Sequence, residues 1–122
     1  MKLKNGNSVK AYLWGKKASD GFRILVDRLY PRGIKKESLH IDLWAKEIAP
    51  TDILRKAYHT TGDYQYLEEH YTEELSQNPI FVLFLEQIKD KEKITLLTAS
   101  KDVNHSQLPI LKAFIENSIV EK

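Results

Sequence analysis

Phe22-Arg23-Ile24-Leu25-Val26-Asp27-Arg28-Leu29-Tyr30-Pro31-Arg32-Gly33 is the stretch on which the reading of the fold turns. Phe22 to Val26 is apolar and rich in branched side chains apart from Arg23, the pattern of a strand covered on most of its surface. Asp27 and Arg28 stand at its end. Pro31 then fixes φ and removes a donor, and Gly33 tolerates φ > 0, so a stiffened loop presents Arg28 and Arg32. A guanidinium fork fits a carboxylate or a phosphate, and a charge-assisted hydrogen bond contributes about 1.5 to 3 kcal/mol. Two readings stand side by side: a ligand-facing loop, or a structural staple in which Asp27 pairs with an arginine internally.

Outward from this strand, apolar residues alternate from Val9 to Trp14, and Asp20-Gly21 marks a turn, so the first two strands are expected to form a hairpin. Beyond Gly33, Lys35 to Ser38 suggests a single helical turn. Leu39, Ile41 and Leu43 alternate with His40, Asp42 and Trp44, which predicts a short strand. Pro50 stops it, and Thr51 is placed to cap a helix over Asp52 to Tyr58. Gly62 breaks that helix and Asp63 caps a second, with Tyr64, Leu67, Tyr71 and Leu75 on one face. Asn78-Pro79 ends it, and Phe81, Leu85 and Ile88 mark a third. Ile94 to Leu97 reads as a buried strand. Leu108, Leu111, Phe114, Ile115 and Ile119 give the last helix its apolar face, with His105 or Ser106 near its beginning.

Strands interleaved with helices predict an α/β fold, one domain over residues 1–122, with a small mixed or mostly parallel sheet flanked by helices. At 122 residues, folding buries roughly two-thirds of the surface of the unfolded chain, enough for a core. The absence of cysteine excludes disulfides, thiolate chemistry and cysteine-held metals. A net charge of +2 is too small to argue for a nucleic-acid partner. With no apolar run of membrane-spanning length and no signal-like N-terminus, a soluble cytoplasmic protein is expected. Oligomeric state and cofactor are left open.

Open sheets bind ligands beyond the carboxyl ends of their strands. If the strands at Phe22, Leu39 and Ile94 run parallel, their ends bring together Asp27, Arg28 and Arg32, then Trp44 and Lys46, then Lys101, Asp102 and His105, with Arg55 one turn into the helix after Thr51. Arg28, Arg32, Trp44, Lys46, Arg55 and Lys101 are therefore candidate ligand contacts. Asp27, Asp102 and His105 are candidate catalytic groups. The cations nearby favour ionised aspartates that orient rather than donate, and His105 suits acid or base work near neutral pH, although helix capping is the simpler reading. Trp44 reads more simply as packing whose indole N–H seeks an acceptor. No histidine pair has the spacing of a zinc helix, so no metal is assigned.

The segments Asp20 to Gly33, Asp42 to Thr51 and Thr95 to Asp102, with Leu54-Arg55 and Tyr71 to Leu75 between them, resemble the DUF488 family in its YeaO-like branch. Tyr30 stands where the family loop typically has tryptophan. The resemblance implies a domain without an assigned activity. Two functions remain from the residues: a small enzyme or ligand-binding domain for a phosphorylated or carboxylated metabolite, or a non-catalytic module gripping an acidic protein segment or a nucleic-acid backbone.

Overall fold

A computed structural model describes residues 8–12, 21–30, 40–100 and 102–118. Four strands, β1 (Ser8–Tyr12), β2 (Phe22–Leu25), β3 (Leu43–Trp44) and β4 (Lys93–Leu97), form one sheet in the order β1-β4-β2-β3. Every pairing is parallel, with Ile24 opposite Leu96, Leu25 opposite Trp44, and Val9 opposite Ile94. The expected hairpin of β1 with β2 is therefore corrected: β4 lies between them. Parallel neighbours need a crossover, and the most hydrophobic run takes the position where both edges are paired.

The apolar runs of β2 and β4 are continuous because both faces are buried. Ile24, Val26, Ile94 and Leu96 enter the core cluster with the helices, while Leu25, Thr95 and Leu97 are buried on alternate positions. Arg23 is also buried, at 1 % exposure, which requires bonded partners. Its Nε donates to the His40 carbonyl at 3.1 Å, and its backbone N–H donates to the Asp42 carboxylate at 2.8 Å. Asp42 N–H returns a bond to the Arg23 carbonyl at 2.8 Å. These contacts deliver the chain into β3, which is shorter than expected: His40 sits in a turn at φ 51°, so pairing starts only at Leu43. Leu39 and the Lys35 to Ser38 segment lie outside the described residues.

Helices α1 (Asp52–Thr61), α2 (Tyr64–Gln77), α3 (Pro79–Ile88) and α4 (Gln107–Ser118) follow their local signals. Thr51 Oγ1 accepts from Leu54 N–H, Asp63 from Tyr66 N–H and Asn78 from Ile80 N–H, each satisfying an orphan amide of a first turn. Gly62, at φ 67°, closes α1 with its N–H on the Tyr58 carbonyl. Leu67, Tyr71 and Leu75 of α2 are buried with Leu108, Leu111 and Ile115 of α4, against which α2 packs. Tyr71, fully buried, donates its hydroxyl to the Ile48 carbonyl at 2.6 Å. Ile119, expected on the last apolar face, lies outside the described residues. Among those residues no helix is long and apolar enough to cross a membrane.

Gly21 precedes β2 at φ 69°, and a Cβ there would stand 2.6 Å from the Lys93 carbonyl oxygen. Gly62 has the same backbone sign with nothing within 4 Å of such a Cβ. Gly62→Ala should cost about 1 kcal/mol from backbone strain alone, whereas Gly21→Ala should cost about 2 to 4 kcal/mol because β2 and β4 must part. Urea denaturation of the two variants checks the difference.

Candidate functional site

The β2–β4 ladder continues one step past the strands, with Val26 N–H on the Leu97 carbonyl at 2.9 Å, and then delivers Asp27 beside Thr98. The Asp27 carboxylate accepts from Thr98 Oγ1 at 2.7 Å and Ala99 N–H at 2.7 Å. Gln107 Nε2, from the first turn of α4, donates to it at 2.9 Å and also bonds the Val26 carbonyl. Burial pushes the Asp27 carboxyl above its ordinary value, opposed by the bonds from Thr98, Ala99 and Gln107 and by the Arg55 charge. One half-buried carboxylate thus ties together the ends of two strands and the start of a helix.

Above this knot opens a cavity of about 490 Å³. Asp27, Thr98 and Gln107 form its polar floor, and Leu29, Tyr30, Pro50 and Leu67 supply apolar wall. Arg28, Arg55, His59 and His105 bring cationic or titratable nitrogen to it from three elements. The chain leaves β2 towards β3 on one side and leaves β4 towards α4, which lies over β1, on the other. The cavity therefore occupies the crevice where successive connections diverge, the usual ligand position in open parallel sheets.

The residues named from sequence divide here. Arg28 lines the cavity, but its Nη2 donates to the Ala49 carbonyl at 2.8 Å and its Nε to the Pro50 carbonyl at 3.3 Å, clamping the chain before α1. Arg55 faces the cavity with a half-exposed side chain and a 3.2 Å ion pair to Asp52. Trp44 packs beneath the loop: its indole N–H donates to the Asp27 carbonyl at 2.7 Å and its ring meets Tyr30 edge-on at 5.2 Å. Lys46 rests over that ring, 4.9 Å from its centre, rather than on the cavity wall. His105 reaches the cavity with Nδ1 2.8 Å from Asp102 Oδ2. Arg32 and Lys101, with Pro31 and Gly33, lie outside the described residues.

Sequence reading missed Thr98, Gln107, Tyr58 and Tyr64. The tyrosine hydroxyls donate to the His105 carbonyl at 2.8 Å and the Ser106 carbonyl at 2.7 Å, holding the turn before α4. Burial first, then the charges of Glu68, Tyr58 and Asp102, push the Tyr64 phenol up to about 12, so it remains a donor. Helical spacing marked Tyr64 as core edge, and only the fold shows what its hydroxyl meets. Among the described residues no three His, Asp or Glu side chains are grouped to hold a metal.

A family model described as the inactive DUF488-N3 subclade matches residues 8–122. The uncharacterised protein YeaO of Escherichia coli K12 is 43% identical over 100 residues, covering 81% of this chain and 87% of that protein. The uncharacterised proteins Rv3073c of Mycobacterium tuberculosis H37Rv and Mb3100c of Mycobacterium bovis are each 32% identical over 93 residues, covering 75% of this chain and 78% of theirs. No solved structure matches the chain.

Arg28 and Arg55 should separate in denaturation experiments. Arg28→Ala strips donors from two buried carbonyls and should cost about 1 to 3 kcal/mol, whereas Arg55→Ala, which loses only an exposed pair, should stay within about 0.5 kcal/mol. Asp27 should also leave a pH signature. Because its folded value lies above the ordinary 3.8, the native state binds the proton more tightly. Its contribution to stability should then fall as pH rises from 3.8 through the raised native value and stay level above it. The stability of the wild type relative to Asp27→Asn, followed by urea melts across that range, reads this slope.

Proposed function

The chain belongs to the DUF488 family, in the branch described as inactive, and from that premise we propose that it is a non-catalytic binding domain for a small phosphorylated or carboxylated metabolite. The observation that carries the reading is the state of its two carboxylates. Asp27 is consumed by Thr98, Ala99 and Gln107, and Asp102 is turned onto His105, so the two aspartates do not face each other as a carboxylate acid/base pair. Around Asp27 the cavity gathers Arg28, Arg55 and two histidines against an apolar wall. Concave sites of that size with a few convergent polar groups are the usual form of a small-ligand pocket.

A thermal-shift screen of the purified protein against phosphorylated metabolites, nucleotides and carboxylates tests the proposal. An anion at one hundred times its dissociation constant adds about 2.7 kcal/mol, and Arg55→Ala should remove that stabilisation. A flat screen, joined to salt-sensitive binding of an acidic peptide or of nucleic acid, would replace the metabolite reading with that of an interaction module.

A further inference from the structure

Arg55 and His59 are four residues apart on α1 and both face the cavity, so they share one side of that helix. His105 approaches from the turn before α4. Its ring has two contacts, Nδ1 against Asp102 and an edge-on meeting with Tyr64 at 5.5 Å, and Tyr58 bonds its backbone carbonyl. With Nδ1–H given to Asp102, Nε2 is the ring nitrogen left for a ligand. His59 has no hydrogen-bond partner among the described residues, and the Arg55–Asp52 pair is exposed and readily exchanged.

Resting on the binding reading above, we infer that Arg55, His59 and His105 form a phosphoryl subsite at the cavity wall, with Asp102 as the positioning residue for His105. With the imidazoles protonated, three separate donors from two elements suit the three outer oxygens of a phosphomonoester. A carboxylate, with two oxygens in one plane, is better served by a single fork. The other groups that face His105 are Tyr58 from α1, Tyr64 from α2 and, across the cavity, Asp27 and Arg28. Binding should therefore strengthen as the two imidazoles take up protons.

Calorimetric titration with phenyl phosphate and with benzoate, from about pH 5.5 to 8.5, tests the subsite. Phenyl phosphate should bind roughly tenfold to a hundredfold tighter than benzoate, the range of one or two charge-assisted bonds. The double variant His59→Gln/His105→Gln should keep the fold, since both side chains are exposed, and lose that preference. Phenyl phosphate itself titrates near pH 6, so the readout is the pH dependence of wild type minus variant. Asp102→Asn should weaken phenyl phosphate binding more than benzoate binding, because His105 loses the partner that aims its ring. Equal affinity for the two anions, or a pH profile unchanged in the double variant, overturns the subsite while leaving the binding domain in place. Binding of neither anion, with no other anion stabilising the protein, overturns both.

Discussion

A carboxylate half-buried at the junction of two parallel strands needs donors to offset its lost hydration, and Asp27 finds them in Thr98, Ala99 and Gln107. The requirement works in both directions. Asp27 needs β4 to end beside β2 and α4 to begin above both, and those segments in turn have their polar atoms satisfied by Asp27. The cavity floor is thus a structural joint before it is anything else. Its geometry rests on bonds within the chain, and a site built this way is preorganised, which lowers the ordering cost of binding.

The same economy recurs around the cavity. Arg28 clamps the Ala49 and Pro50 carbonyls, Thr51 both caps α1 and donates to Glu74, and Asn78 caps α3 while donating to the Glu47 carbonyl. Each polar side chain closes an orphan backbone group and joins two elements at once. The groups left over at the cavity, Arg55, His59 and Nε2 of His105, stand on this fixed frame.

What could be read from sequence follows the range of each interaction. Thr51, Asp63 and Asn78 are recognisable as caps because the amide each satisfies lies two or three residues away. The α/β class followed from apolar runs separated by helical spacing, while the parallel direction of β2, β3 and β4 entered only as a condition of the site reading. Strand order did not follow, and the hairpin expected for β1 failed because neighbours in sequence were assumed to be neighbours in the sheet. Gln107 escaped notice for the same reason: nothing local to it points towards Asp27, 80 residues away. Arg28 showed its charge in sequence, but its use as a clamp depends on where a distant loop comes to rest.

The sheet order also sets a timetable for biosynthesis. Ser8 pairs with Lys93 and Phe22 with Ile94, so β1 and β2 share no edge and β4 is the strand each must have. While a ribosome is making the three helices between, β2 has only two-residue β3 beside it, and Ile24, Leu25 and Val26 have no sheet to enter. Long-range parallel pairing of this kind is slow and leaves apolar segments open until it completes. The emerging chain therefore keeps these apolar segments open until β4, and after it α4 with Gln107 and Leu108, have left the exit tunnel.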